Sequence, residues 1–336
     1  MKWIRRASSP VDESNSQPGE ASSLPKRQSI MGVVARRIRD GVITLLIVVT
    51  VIFTLAHVVG NPALAYAPID ASDEEVALIE RQFGLDRPFT ERYVEYLGDL
   101  VTGDFGDSNW QKRPALDAVR EAIPATIQLT LAGILVASVF GAAGGLLAGV
   151  SPNSAFDRMA NFFSVSALSV PNFWLGLLLI VVFAVNLGWF PTSGRYGWSS
   201  IVLPAVTLGI VHGGRIFQLV RSATVEEISK PYVMVARSKG FSKPVVVGRH
   251  VLRNTGLTMA TTVGWEYVRM WGGAAFAIEY VFAWPGVGLL MINGANRQDF
   301  YVLQCAVIIA GAFVIVSNLL IDLFYNLIDR RIQGAG

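Results

Sequence analysis

Glu266 and Arg269 stand three residues apart inside a mostly apolar stretch, 257–282, that also carries Glu279. Three residues is close to one helical turn, so the two side chains share a face and carboxylate can pair with guanidinium. Charges at the depth of a bilayer are costly and turn toward a bundle interior or a water-filled path. Two uses meet that demand: the pair lines a route for a polar solute, or it neutralises itself at a contact between subunits. Arg215 is the one charged residue of a second apolar stretch. Its long side chain can reach toward the inner surface, since Arg221 follows about 9 Å further along a helix. Trp198 and Trp284 suit anchors at the membrane–water boundary. This is ion-pair and conduit chemistry rather than catalysis.

A second set of charges lies at 232–254, which reads YVMVARSKGFSKPVVVGRHVLRN. Apolar residues recur at helical spacing: Tyr232, Val235 and Ala236, then Val245, Val246, Val247, Val251 and Leu252. Arg237, Lys239, Lys243, Arg249 and Arg253 fill the other face, and Gly240 interrupts the pattern. The spacing predicts two short amphipathic helices joined at a glycine. Such a pair offers a docking surface to another protein, or its cations hold the loop against anionic lipid. Ser229 is expected to cap the first helix with Pro231 in its first turn, and Ser242 to cap the second. Gly240 is expected to end the first helix in the left-handed conformation. Arg237 and Lys239, near that helix's C-terminus, complement its dipole.

Other chemistries find no footing. No G-x-x-x-x-G-K-[ST], H-E-x-x-H or G-x-S-x-G pattern occurs. Cys305 is the one cysteine, which excludes a disulfide framework and a cysteine zinc site. His57, His212 and His250 lie far apart in the sequence, so no metal cluster is visible. Net charge is +3 with no long basic run, which gives no reason to expect nucleic acid as a partner. A nucleotide-driven process would therefore need its ATP chemistry on another subunit.

The elements that must hold these residues are membrane spans. The chain is 52% hydrophobic and 16% charged, against about 25% charged in soluble domains. Six apolar stretches reach the roughly 20 residues that cross a bilayer core: 41–60, 127–150, 159–187, 201–220, 257–282 and 301–320. Residues 1–40 hold eight Lys or Arg and 221–254 hold seven, while 188–200 has only Arg195 and 284–300 only Arg297. Six crossings with both termini inside satisfy that bias. The first 30 residues, rich in Ser, Pro and Glu and without an apolar core region, read as a disordered cytoplasmic tail rather than a signal peptide. Segment 61–126 is too polar to cross; helical spacing at 73–83 and 88–100 predicts a small ordered cap on the outer face. Gly141, Gly145 and Gly149 recur once per turn, which lets two helices approach closely. Pro171 and Gly213-Gly214 are expected to bend or loosen their helices.

The loop resembles the signature loop of membrane subunits of ATP-binding-cassette importers, E-A-A-x3-G-x9-I-x-L-P. Ala236, Gly240 and Leu252 take its third, glycine and leucine positions. Met234, His250 and Arg253 replace its Glu, Ile and Pro, and so resemble the peptide and nickel branch, approximately Y-V-x-x-A-R-x-K-G-x9-H-x-L-R-N. Tyr232, Val233, Arg237, Lys239 and Asn254 fit the same version. Phe83-Gly84-Leu85-Asp86-Arg87-Pro88, Gly103-Asp104-Phe105-Gly106, Pro124-Ala125-Thr126 and Leu203-Pro204-Ala205 are similar to that branch, as is Glu279 to Gly288 with its Trp284-Pro285-Gly286. Gly60-Asn61-Pro62 departs from a common Gly-Asp-Pro.

The resemblance implies an all-α membrane protein of six transmembrane helices, the transmembrane domain of a type I ABC importer, with a small extracytoplasmic helical segment after the first span. It divides the chain into a tail (1–30), a first transmembrane helix (31–60), the extracytoplasmic segment (61–126) and a five-helix permease core (127–332) with a cytoplasmic coupling loop (221–254). The implied function is permease of an ATP-driven dipeptide or oligopeptide importer, forming half of the translocation pathway. Such a subunit is not an enzyme and binds no cofactor; ATP and Mg belong to partner subunits. The implied ATPase-coupling residues are Tyr232, Val235, Ala236, Arg237, Ser238, Lys239, Gly240 and Phe241. Arg215, Glu266, Arg269 and Glu279 are candidates for the substrate pathway, with Glu279 at a bend of the external gate. Implied partners are a homologous second permease, two cytoplasmic ATP-binding subunits, an extracytoplasmic substrate-binding protein and the lipid bilayer. The place is the plasma (inner) membrane of a bacterium or archaeon, with multiple passes and both termini cytoplasmic. A nickel or oligosaccharide importer is the near alternative. A stand-alone ion-coupled transporter and a non-transporting scaffold are the distant ones.

Overall fold

The computed structural model describes residues 30–58, 71–82, 84 and 86–328. The expected tail up to residue 29, the Gly60-Asn61-Pro62 segment and Arg330-Arg331 lie outside the described residues. Helix dominates what is described. Four helices are long and apolar enough to cross a membrane: Val34–Ala56, Ala115–Val150, Trp198–Ile228 and Phe300–Phe324. The pair Ala155–Ser169 and Asn172–Asn186 makes a fifth if it is counted as one crossing.

The first helix, α1 (Ile30–Val58), starts earlier than residue 41 and carries Arg36, Arg37 and Arg39 near its start. Arg37 pairs with Asp322 at 2.9 Å, tying α1 to the last helix. Both expected helices of the outer segment are present, α2 (Asp73–Gln82) and α3 (Phe89–Thr102). Ser72 and Glu75 form a reciprocal cap at the start of α2, and the bond from the Ser72 backbone holds the Glu75 carboxyl below its usual range. Phe53 of α1 meets Phe89 edge-on and Tyr93 at a tilt and stacks on Tyr96, so α3 is laid against the first span. A short hairpin follows, β1 (Asp107–Ser108) with β2 (Arg113–Pro114). Buried Asp299 accepts bonds from the Ser108 hydroxyl (2.7 Å) and the Trp110 backbone (3.0 Å), clamping the hairpin to the start of the last helix.

The second span begins at Ala115 rather than at 127, as α4 (Ala115–Ala137), a π turn and α5 (Gly144–Val150) in one continuous run. Pro124 lies inside it. The stretch 159–187 is bent at Pro171, as expected there. It is α6 (Ala155–Ser169) and α7 (Asn172–Leu179), extended by a π turn to Asn186 and bent by 108°. The cause is local. Pro171 has no N–H to give, and Val170 before it takes an extended conformation (φ −99°, ψ 129°).

The helix α8 (Trp198–Ile228) is the axis of the fold, buried along much of its length. Gly141, Gly145 and Gly149 face it. A Cβ at Gly141 would stand 2.5 Å from the Gly213 carbonyl oxygen, and one at Gly145 2.7 Å from that of Phe217. The glycine ridge is therefore a helix–helix contact. Gly213 and Gly214 do not loosen α8, which stays helical through them because they too are used for close approach.

After the loop helices α9 (Pro231–Ser238) and α10 (Lys243–Val246) comes α11 (Leu252–Arg269). The stretch 257–282, expected as a single span, is broken. Gly272 (ψ 18°) and Gly273 (φ 123°, ψ −24°) leave helical geometry before α12 (Ala275–Val281) resumes. The connector 284–300 contains a short apolar helix, α13 (Val287–Asn296), and α14 (Phe300–Ile328) ends the described chain.

Candidate functional site

The loop after α8 is built from behind. Val233 and Ala236 of α9 are buried with Val246 and Val251, and Ile228 packs against them. The packed face is thus Val233 and Ala236, not Val235 and Ala236 as spacing suggested. Val235, at 53% exposed, points outward with Tyr232, Met234 and Phe241. Arg237, Ser238, Lys239 and Gly240 are exposed beside them. The result is one outward surface of apolar and basic groups backed by a small core.

Backbone geometry shapes both ends of α9. Pro231 takes its first position, as expected. Ser229 does not cap it; its hydroxyl donates back to the Val225 and Glu226 carbonyls and closes α8, while Lys230 holds the cap position. Gly240 has φ 82°. Its N–H reaches the Arg237 carbonyl (2.9 Å) and that of Phe241 reaches Ala236 (3.4 Å), the paired closure that a left-handed residue permits. Ser242 stands at the α10 cap position without a side-chain bond.

A polar brace joins the loop to both flanking helices. Glu227 at the end of α8 accepts from Lys230 (2.5 Å), from the Tyr232 hydroxyl and from Asn254 of α11 (2.8 Å). Asn254 also reaches the Tyr232 oxygen at 2.7 Å. The bond to Glu227 holds the Lys230 ammonium above the usual lysine range. Burial, then the same carboxylate, pushes the Tyr232 phenol up, so it stays a neutral donor. His250 lies between two aromatics, its ring centre 6.3 Å from Tyr232 and 6.4 Å from Phe241. Lys243 reaches Ser151 at 2.7 Å, and Arg221 forks onto Asp157 at 2.5 and 2.8 Å, tying the α5–α6 turn to the same end of the molecule.

The second candidate site lies within the helices. Arg269 pairs with Glu266 at 2.6 Å, as the spacing predicts. Two residues of α8 join them: His212 Nδ1 at 2.8 Å and Arg215 at 3.9 Å from the other carboxylate oxygen. Arg215 therefore belongs to the Glu266 cluster, which replaces the expectation that it reaches toward the inner surface. His212 carried no signal in the sequence beyond being a polar residue in an apolar stretch, and the partner that explains it is 54 residues away.

Glu279 belongs to neither. It is fully buried and accepts from the Thr126 hydroxyl (2.6 Å) and from the backbone N–H groups of Gly288 (2.7 Å) and Leu289 (3.2 Å). Those two amides are open donors at the start of α13, so a distant carboxylate caps that helix. A side chain at Gly286 would run into the carboxylate. Trp284 is fully buried and donates to the Ala125 carbonyl at 2.8 Å, so it is a core residue and not an interfacial anchor. Trp198, by contrast, is 85% exposed. No group of three or more His, Cys, Asp or Glu is placed to hold a metal among the described residues.

Comparison with known proteins bears on most of the chain. Residues 141–334 match the family described as binding-protein-dependent transport system inner membrane component, and residues 30–130 match the family of its N-terminal region. Glutathione transport system permease protein GsiC of Escherichia coli (strain K12) is 34% identical over 305 residues, 90% of this chain and 99% of that protein. GsiC of Shigella dysenteriae serotype 1 (strain Sd197) matches at the same identity and coverage. The solved structure titled "Crystal structure of an amino acid ABC transporter with histidines" is 15% identical, with a TM-score of 0.49 over 64% of this chain and 94% of that one. That likeness is too low to carry an argument about topology.

Proposed function

We propose, since the chain belongs to the family of binding-protein-dependent transport system inner membrane components, that it forms half of the translocation pathway of a peptide importer. Membership makes it a multi-pass permease of the inner membrane that is not itself catalytic. In this family ATP is hydrolysed on a separate subunit, the permease binds no cofactor itself, and ATPase and binding-protein partners are implied. Peptide as substrate is the finer reading. It is supported by the branch-specific loop residues His250, Arg253 and Asn254, and by relatives whose printed substrate is glutathione.

The observation that carries the coupling half of the reading is the braced loop. Tyr232, Met234, Val235, Arg237, Ser238, Lys239, Gly240 and Phe241 lie exposed on α9 and the turn that follows it. Glu227, Tyr232 and Asn254 fasten that element to α8 and α11. In this reading two cytoplasmic ATPases seat on this surface and on its counterpart in a homologous second permease. Their closure on ATP moves α9 as a rigid body, and the brace passes the motion to the two helices that carry Arg215, Glu266 and Arg269. Six crossings place both termini in the cytoplasm and the 71–114 region outside, where a binding protein delivers its cargo. The broken 252–281 region counts as the fifth crossing.

The test is reconstitution of the co-purified complex in proteoliposomes with its binding protein outside and ATP inside. Uptake of labelled trialanine that needs both supports the reading. Uptake by the isolated chain without ATP would point to a stand-alone transporter, and assembly without flux to a scaffold.

A further inference from the structure

We infer that Arg215 and Arg269, held by Glu266, form a carboxylate-binding station inside the translocation route, where the permease itself selects solutes with a free carboxylate. This rests on the peptide-import reading above. The first argument is charge. Glu266 is 1% exposed and supplies one negative charge, while the two guanidinium groups supply two positive ones. One carboxylate cannot neutralise both, and His212 adds no anion. The second argument is exposure. The Arg215 and Arg269 side chains are 49% and 55% exposed although their shared carboxylate is buried, so each guanidinium keeps donors free of Glu266. Arg269 uses one nitrogen on Glu266 at 2.6 Å, and Arg215 stands at 3.9 Å, beyond hydrogen-bond length. A guanidinium has five donors in a planar fork suited to a carboxylate.

The third argument is backbone. Three residues beyond Arg269 the helix breaks at Gly272 and Gly273, and a Cβ added at either would meet nothing within 4 Å. Non-helical backbone at membrane depth survives only where it is covered by protein or faces a watery cavity. Among the described residues no atom covers that side of Gly272-Gly273, so the break is open to whatever lies beside it. Arg269 and the open backbone therefore lie on one short piece of chain, which the Glu266–His212 contact holds against α8 beside Arg215. A peptide's terminal carboxylate supplies the missing charge. An ion pair that only neutralised itself at a subunit contact would be expected to balance.

The experiment uses the intact reconstituted complex and two probes, labelled trialanine and labelled trialanine amide, with one binding protein throughout. The ratio of their uptake rates is the readout, since damage to folding lowers both together. Wild-type complex is expected to favour the free acid by roughly tenfold, the scale of a charge-assisted bond. The double variant Arg215→Gln/Arg269→Gln is expected to bring the ratio close to one while still carrying the amide. An unchanged ratio would assign the preference to the binding protein and overturn the station. If the double variant carries neither peptide, Arg215→Lys and Arg269→Lys decide. Retention of the preference by these charge-keeping variants supports the station, and its loss overturns it. Failure of wild-type complex to carry either peptide removes the peptide reading, and the station falls with it. A wild type that carries both equally removes the station alone.

Discussion

The Glu279 carboxylate takes three hydrogen bonds while fully buried, two of them from the open amides of α13. Buried donors that lose their acceptor each cost about 1–3 kcal/mol. Glu279→Ala is therefore expected to lower the stability of the purified permease by on the order of 3 kcal/mol, and Glu279→Gln by less, because the amide oxygen still accepts. Thermal unfolding in detergent measures both; equal transitions would show the carboxylate to be idle. Glu266 poses a different balance. Replacing it with Gln leaves two cations without an anion, whereas Arg269→Gln leaves one ion pair and removes the surplus. Removing one partner of an ion pair costs most when the charge left behind is buried, and here that is the Glu266 carboxylate, whereas both guanidinium groups are about half exposed. Arg269→Gln, which leaves the buried carboxylate with His212 and the more distant Arg215, should destabilise more than Glu266→Gln in the same unfolding assay, and the reverse order would mean that the two cations depend on Glu266 more than it depends on them.

At the scale of the element, α9 separates two jobs that sequence spacing merged. Val233 and Ala236 hold the loop together, and Val235 and Met234 face out. Val235→Glu is expected to cut ATPase co-purification and uptake at least tenfold with normal permease levels in the membrane, about 1.4 kcal/mol at the contact. Ala236→Glu would instead put a charge into the loop's own core and reduce the permease itself; quantitative blotting separates the two. Tyr232→Phe removes one member of the brace and leaves the outward surface unchanged. Its expected effect is uptake down several-fold with ATPase binding retained. Loss of ATPase binding in that variant would mean that the hydroxyl contacts the partner rather than the brace.

At the scale of the molecule, α8 is where the spans meet, and its approach to α4 and α5 is set by glycine. Gly145→Leu would drive a side chain against the Phe217 carbonyl, which a Cβ already reaches at 2.7 Å. Overpacking at a backbone contact costs about 1–3 kcal/mol or more. The expected result is loss of folded permease on size-exclusion chromatography, whereas Gly98→Ala, with nothing within 4 Å, should be silent. The same axis explains the composite site. His212 and Arg215 sit one turn apart on α8, and Glu266 and Arg269 one turn apart on α11, so the four meet only because the two helices pack in one register.

Sequence alone settled what a few neighbouring residues can settle. Apolar length marked four helices long enough to cross a membrane and a bent pair that makes a fifth, helical spacing paired Glu266 with Arg269, and the one-per-turn glycines marked a close helix contact. Gly240 announced its own left-handed turn, and the loop motif announced the family. These are local properties of period and backbone freedom, written within one or two turns of chain. Tertiary structure decided the rest. It set the angle of the bend expected at Pro171 at 108°, turned Val235 outward, buried Trp284, and carried Thr126 to Glu279 across 153 residues. It also brought His212 and Arg215 onto Glu266. Which face of a helix meets which neighbour depends on rotation and register, and those come from packing the whole set of helices at once.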